Sequence, residues 1–375
     1  MRILMLNYEF PPLGGGAGNA TFYLLKELAK CDNLKIDLIT SSVGKHKEKQ
    51  FAKNIKIYYL DIGKSDKSLH TQNFKDLLKY SWKSREFAKH LISENNYNLI
   101  HSFFGIPCGY IAMNLRLPYI ISLRGSDTPF YSEKYFLLDK LIFKKLSKKI
   151  WKNSRAVIAN SEDLKNLALN SAPDQKIEII YNGVDIKEFR PSNETNQKFT
   201  VISTSRLIKR KGIEYLIDAF IKFNDKYNNS KLLLIGDGDL KKELKERVKK
   251  ANIQSKIDFL GAVNHSEIAA YYQQSDVFVL PSLSEGMSNS LLEAMASGLA
   301  IVATNTGGVK NLVNSANGVI IEKQNSDDIF NALERLYLDN NLLRSMKVNS
   351  RKGAKEMSWE KVAGEYYQLY LNTLI

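Results

Sequence analysis

The sequence predicts an α/β protein of two successive units, each a parallel sheet covered by helices on both faces. Short apolar runs rich in β-branched residues alternate with helix-length segments along the whole chain, and strands that read as continuous apolar runs belong to parallel sheets buried on both sides. The 375 residues exceed one comfortable core and suit two domains of ordinary size. A polar, aperiodic stretch, Arg190-Pro191-Ser192-Asn193-Glu194-Thr195-Asn196-Gln197, separates two such series, so the expected domains are residues 1–190 and 191–357.

Strands are expected in the first unit at residues 3–7, 36–40, 56–60, 99–103, 119–123, 156–160 and 177–181. In the second unit they are expected at 199–204, 231–235, 257–260, 277–281, 300–303 and 318–321. Both units read as Rossmann-type, with a ligand crevice expected at the carboxyl ends of the strands and between the units.

A composition of 44% hydrophobic and 25% charged residues excludes disordered and fibrous classes. Two cysteines, Cys31 and Cys108, make no disulfide framework, and neither sits in a metal-ligand cluster. No apolar run reaches the roughly 18–20 residues of a bilayer span. The apolar start at 3–6 is too short for a signal segment, and Asn7 and Glu9 follow at once. A cytoplasmic protein is expected.

The 54 Lys and Arg against 40 Asp and Glu give a formal charge of +14. That surplus is uneven, with 30 basic against 19 acidic residues up to Arg190. Between residues 134 and 155, Lys140, Lys144, Lys145, Lys148, Lys149 and Lys152 interleave with Phe136, Leu141, Ile142, Leu146 and Ile150. At helical spacing this is either a membrane-surface element or a core-packed helix with a solvated lysine face. Nucleic acid is not an expected partner, because no aromatic-plus-basic recognition motif, helix-turn-helix or zinc finger is present.

Three stretches carry chemistry. The first strand runs into Pro11-Pro12-Leu13-Gly14-Gly15-Gly16, with a helix expected from Ala20. Such a loop either brings amides such as those of Gly15 and Gly16 to a phosphate at a helix start or is a tight turn. Its spacing is neither G-x-G-x-x-G nor a Walker loop. Arg206 and Lys211-Gly212 follow the first strand of the second half, where two cations can hold a diphosphate, or where loop charge is merely solvated. The third stretch runs from Pro281 to Gly298 and places Glu285 in a loop and Glu293 one turn into an otherwise apolar helix. A carboxylate there costs several kcal/mol unless it is paired. The vicinal hydroxyls of a ribose would satisfy it, each bond contributing about 1.5–3 kcal/mol. A buried Lys or Arg partner is the alternative. The helix-start amides of Asn289, Ser290 and Leu291 would meet phosphates.

Taken in order, these pieces resemble the retaining glycosyltransferases of the GT-B fold, in the large family-four group. The resemblance spans nearly the whole chain. It rests on Pro11–Gly16, Asn182-Gly183-Val184-Asp185, Arg206 with Lys211-Gly212, Gly236-Asp237-Gly238, the pair Glu285 and Glu293, and Gly307-Gly308. It implies GT-B architecture, two facing Rossmann-like domains with a C-terminal crossover helix returning to the first at 358–375. It also implies a nucleotide-sugar donor bound by the second domain, with UDP ahead of GDP and ADP. Glu293 would hold the ribose, Glu285 the donor sugar, and Gly15, Gly16 and Gly236 would lie against the donor. Arg206 and Lys211 would neutralise the leaving diphosphate, so no metal and no further cofactor is expected. The activity implied is transfer of a hexose or N-acetylhexosamine to a glycan or lipid-linked acceptor in cell-envelope synthesis, on the inner face of an anionic membrane.

Two departures stand out. Where the family often has His-x-His, this chain has His101-Ser102-Phe103, and where it often has His-Gly-x-Asp, it has Arg124-Gly125-Ser126-Asp127. His101 and Phe103 either border the sugar or are packed strand residues. Arg124 is either an anion contact for acceptor or donor, or a surface or Asp127-paired arginine. Asp127 either binds an acceptor hydroxyl or caps the next segment. A UDP-sugar 2-epimerase and a non-catalytic nucleotide-sugar-binding subunit are the alternative activities. A dehydrogenase fails on the glycine spacing and on the lack of an acid at Ile39-Thr40-Ser41.

Overall fold

A computed structural model describes residues 1–64, 73–132, 136–192 and 197–374. The chain forms two compact units, Met1–Asn182 with Trp359–Ile375, and Gly183–Ser358.

The first unit contains β1 (Arg2–Leu6), β2 (Lys35–Val43), β3 (Lys47–Ala52), β4 (Ile55–Lys64), β5 (Leu99–Phe103), β6 (Tyr119–Ser122), β7 (Ala156–Ala159) and β8 (Glu178–Ile179). They form one sheet in the order β3-β4-β2-β1-β5-β6-β7-β8. All neighbours are parallel except β3, which pairs antiparallel with β4 at the edge. The edge strand β3, Lys-Glu-Lys-Gln-Phe-Ala, is missing from the expected set because four of its six residues are exposed and polar and carry no strand pattern. A helix, Gly16–Leu28, follows the glycine loop and starts four residues earlier than expected. The last helix, Trp359–Leu374, buries Val362, Tyr366 and Tyr370 in this unit's core, and Trp359 stacks on Tyr23 at 6.1 Å.

The basic segment is helical from Phe136 to Lys152, through a wider turn at Asp139–Phe143. Ile150 and Trp151 enter the core, which is the packed reading, yet Leu137, Leu141 and Ile142 stay exposed. The first two residues of the expected stretch, 134 and 135, lie outside the described residues.

The second unit contains β9 (Phe199–Thr204), β10 (Ser230–Ile235), β11 (Ile257–Gly261), β12 (Val277–Leu280), β13 (Ala300–Thr304) and β14 (Gly318–Ile321), all parallel. Their order, β11-β10-β9-β12-β13-β14, is the 3-2-1-4-5-6 order of the Rossmann fold. Alternation explains the apolar runs. Val201, Val277, Val279 and Val302 face one buried cluster, while Ile202, Phe278, Leu280 and Ile301 face another on the opposite side.

The boundary falls at Asn182/Gly183, eight residues before the expected 190/191. The reason is packing: Val184 and Phe189 belong to a core cluster with Leu291 and Met295. The Val184 amide bonds the Met357 carbonyl at 2.8 Å, and Arg351 donates to the carbonyls of Ile186 and Phe189. Of the polar stretch that was expected to divide the units, residues 193–196 lie outside the described residues.

Candidate functional site

In the second unit the sheet order reverses between β9 and β12, and at such a switch point the diverging loops leave a ligand crevice beyond the strand carboxyl ends. The loops at this point are tied to one another. Leu207 N bonds Asp237 O at 2.9 Å, Leu283 N bonds Arg210 O at 2.8 Å, and Gly308 N bonds Gly286 O at 2.9 Å. Gly236, at φ +134, lies so near Ser205 that a Cβ would sit 1.9 Å from its carbonyl oxygen. Gly307, at φ +53, would place a Cβ 2.4 Å from Glu285 O. These glycines therefore hold the loops carrying Arg206 and Glu285 in register.

Arg206 is exposed, and no described residue partners its guanidinium. Lys211 and Glu285 form an ion pair that bridges the β9 and β12 loops, with side chains 14% and 9% exposed. The Ser282 hydroxyl also donates to Glu285 at 2.7 Å. The two residues assigned separately to diphosphate and sugar are thus one another's partner here.

Glu293 lies on the helix Asn289–Ala296, which Ser288 caps by accepting from Leu291 N. With the Leu292 amide on Ser288 O, two amides at this helix start are already engaged, and Leu291 N is not open to phosphate as it was expected to be. Glu293 is 9% exposed, and among the described residues no Lys or Arg pairs with it. Instead Oε1 lies 3.0 Å from His265 Nε2, and the Tyr272 hydroxyl donates to Oε2 at 3.4 Å. His265 also lies 3.8 Å from Glu188. Burial works against protonating His265, but the Glu293 hydrogen bond and the charges of Glu293 and Glu188 together hold it above the ordinary histidine value. Sequence reasoning missed His265, Tyr272 and Glu188. A signal existed: His265 and Tyr272 are seven residues apart on the helix that starts at His265, and so share its face.

The chain also spells an Asp-x-Asp sequence, Asp237-Gly238-Asp239, although the expectation of no metal took such a motif to be absent. Asp237 pairs with Lys241 and accepts from Gly238 N, which holds its carboxyl below the usual value. Among the described residues no three His, Cys, Asp or Glu are arranged to hold a metal ion.

The first-unit candidates are placed differently from the ligand roles considered for them. His101 and Phe103 are fully buried. His101 Nδ1 lies 2.8 Å from the Tyr370 hydroxyl and Nε2 2.8 Å from that of Ser122. Burial, reinforced by the Arg124 charge, pushes its pKa well below the ordinary value, so it is a neutral packing residue. Arg124 is neither a surface arginine nor paired through its guanidinium with Asp127. It donates to Asn182 Oδ1 at 2.8 Å and to the Tyr366 hydroxyl at 3.3 Å, and its guanidinium lies 4.6 Å over the Phe103 ring. The two departures from the family pattern are therefore in contact with each other. Asp127 is buried, and its carboxylate ties together loops that precede it rather than the segment that follows, accepting the amides of Gly105, Arg124 and Gly125 at 2.6, 2.9 and 3.0 Å. Gly15 precedes the helix Gly16–Leu28, and its amide meets Glu9 Oε2 at 3.3 Å.

Two tandem Rossmann-like units, with the last helix returned to the first, define a GT-B protein whose second unit presents cations and carboxylates at a nucleotide-type switch point. Residues 14–188 match the Glycosyltransferase Family 4 model and residues 185–353 the Glycosyl transferases group 1 model. The chain belongs to this family and is a glycosyltransferase. It is 28% identical to an uncharacterized glycosyltransferase of Methanocaldococcus jannaschii, over 96% of this chain and 95% of the relative. It is 26% identical to the alpha-monoglucosyldiacylglycerol synthase of Acholeplasma laidlawii, over 70% of this chain and 71% of the relative. A solved structure of Anabaena HepE in complex with UDP and glucose superposes with a TM-score of 0.77 at 18% identity, covering 99% of this chain and 100% of that one.

Proposed function

We propose that this glycosyltransferase is retaining and metal-independent, and moves a hexose or N-acetylhexosamine from a UDP-sugar to a glycan or lipid-linked acceptor of the cell envelope. It would work as a peripheral protein on the cytoplasmic face of the membrane. The observation that carries the reading is the pairing of Lys211 with Glu285 across the β9/β12 switch point, in the loop that leads into the helix bearing the buried Glu293 carboxylate. In this reading Glu293 accepts from the ribose diol, with His265 and Tyr272 fixing its carboxylate. Arg206 and Lys211 receive the negative charge that develops on the diphosphate as the bond from the anomeric carbon to phosphate oxygen breaks. Diphosphate binding draws Lys211 from Glu285 and turns that carboxylate toward the donor sugar. The diacylglycerol glycolipid made by one relative supports a lipid acceptor, and the UDP and glucose held by a protein of the same fold support the donor class.

Thermal shifts over UDP-, GDP- and ADP-sugars test the donor, since stabilisation at 100 times the dissociation constant is about 2.7 kcal/mol. UDP-sugars should give the largest shift, with chelator making no difference. The anomeric proton coupling of the product should match that of the donor. An inverted product, activity abolished by chelator, or no shift with any UDP-sugar would contradict the corresponding part of the proposal.

A further inference from the structure

We propose that the first unit carries a two-helix docking face for an anionic lipid surface, built from Phe74, Leu78 and Trp82 on one helix and Leu137, Leu141 and Ile142 on another. The helix Phe74–Glu94 turns Tyr80, Ser84, Ala88 and Leu91 into the core. Phe74, Leu78 and Trp82, spaced four apart, form a stripe on its outer side and are 68%, 55% and 67% exposed. The second helix is inverted in polarity along its first two turns. Leu137, Leu141 and Ile142 are 71%, 68% and 52% exposed, while Asp139 is buried and accepts the Phe130 amide at 2.8 Å. A turn with its carboxylate inside and its leucines outside is not arranged for water.

Both helices lie on one face of the sheet. The connections from β4 to β5 and from β6 to β7 step across it in the same direction, so right-handed crossovers put their helices on the same side. Each helix starts beyond the carboxyl end of a strand. The segment from Gly105 to Met113 packs against both, with Tyr110 exposed on it.

Charge selects the occupant. Residues 136–152 hold six lysines, and Asp139, the one acid among them, is turned inward. On the other helix Lys75, Lys79 and Arg85 are exposed, while Asp76 is engaged by Lys64 and Glu86 by Lys89. Apolar side chains ringed by flexible lysines match the boundary between acyl chains and anionic headgroups, where the chains enter and the ammonium groups reach the phosphates. A second copy of the same face would set lysine against lysine. This face deepens the lipid-acceptor part of the proposed function but stands on the first unit's surface, so it holds or fails independently of nucleotide binding.

The chain supplies its own probe. Trp82 is 67% exposed, whereas Trp151 and Trp359 are 0% and 6% exposed, so a vesicle-induced change in tryptophan emission reports Trp82. The full chain is mixed with phosphatidylcholine vesicles and with vesicles also containing phosphatidylglycerol. The expected result is a blue shift and sedimentation with the anionic vesicles only, both reversed by salt. The shift should vanish in Trp82→Phe, which still sediments. Leu137→Gln/Leu141→Gln should cut partitioning about 10-fold or more. Lys145→Gln/Lys148→Gln should cut it about 5-fold per lysine. Neither double variant should change the melting temperature or the thermal shift by UDP. Absence of the shift, equal binding to neutral vesicles, or binding unaffected by either double variant overturns the proposal. A lipid-free dimer that Leu137→Gln/Leu141→Gln dissolves overturns it too, because the occupant is then a second copy.

Discussion

Replacing Glu285 with Gln should have opposite effects on folding and on diphosphate binding. In the ligand-free protein its carboxylate neutralises Lys211 within a pair only about a tenth exposed. Exposed pairs contribute about 0–1 kcal/mol, and breaking a fully buried pair costs about 3–5 kcal/mol. This pair lies between, so Glu285→Gln should destabilise by about 2–3 kcal/mol, or about 4–12 °C for a domain of this size. The same change releases Lys211 for phosphate, so affinity for UDP should hold or rise while transfer falls. Lys211→Met also breaks the pair but removes a charged phosphate contact, and should weaken UDP by roughly 10–100-fold. The assay is calorimetric titration of UDP into both single variants and the double variant, with thermal melts completing the cycle. Equal loss of UDP affinity in Glu285→Gln and Lys211→Met would rule out a phosphate contact held in reserve by Glu285, as would a coupling energy below about 0.5 kcal/mol.

Three further outcomes follow from the geometry. The folded-state pKa of His265 is raised, so its contribution to stability is complete below the unfolded histidine value of about 6.5 and is lost as pH rises through the folded value. Urea midpoints should therefore fall as pH rises above about 6.5, and His265→Ala should flatten that slope. Gly236→Ala would force a Cβ to 1.9 Å from Ser205 O at φ +134, so it should destabilise the second unit by about 2–5 kcal/mol in denaturant melts. Arg124→Met keeps a side chain over Phe103 but loses the Asn182 and Tyr366 hydrogen bonds, and should cost about 1–3 kcal/mol by thermal melting.

Much of the fold was legible because buried parallel strands must be apolar on both faces. Runs such as Phe278 to Leu280 declare themselves without any partner in view. The strand β3 did not, since an edge strand facing water carries a polar sequence like that of a loop. Gly183 to Phe189 read as the end of the first unit because its anchors in the second, Met357 and Arg351, lie about 160–175 residues away along the chain. In the site, Glu293 was recoverable because a carboxylate on an apolar helix needs a partner. The partners themselves were not, because His265 and Tyr272 belong to a different helix and no one-dimensional spacing ties them to Glu293. His101, Phe103 and Arg124 were conspicuous as residue types. What spacing concealed was that Tyr366 and Tyr370 of the C-terminal helix occupy the polar atoms of His101, Ser122 and Arg124, which turns family site positions into packing.

In the proposed donor site Glu293 grips the diol of a nucleotide ribose at the switch point of the second unit. Titration calorimetry of UDP and of its 2′,3′-dideoxy analogue, into the native chain and Glu293→Gln, probes that grip. Removing the hydroxyls should weaken binding to the native chain by roughly 10–100-fold, the equivalent of one charged hydrogen bond or more, and the variant should barely distinguish the two ligands. An analogue penalty of the same size in both proteins, with the variant's melting curve showing it folded, would contradict the assignment.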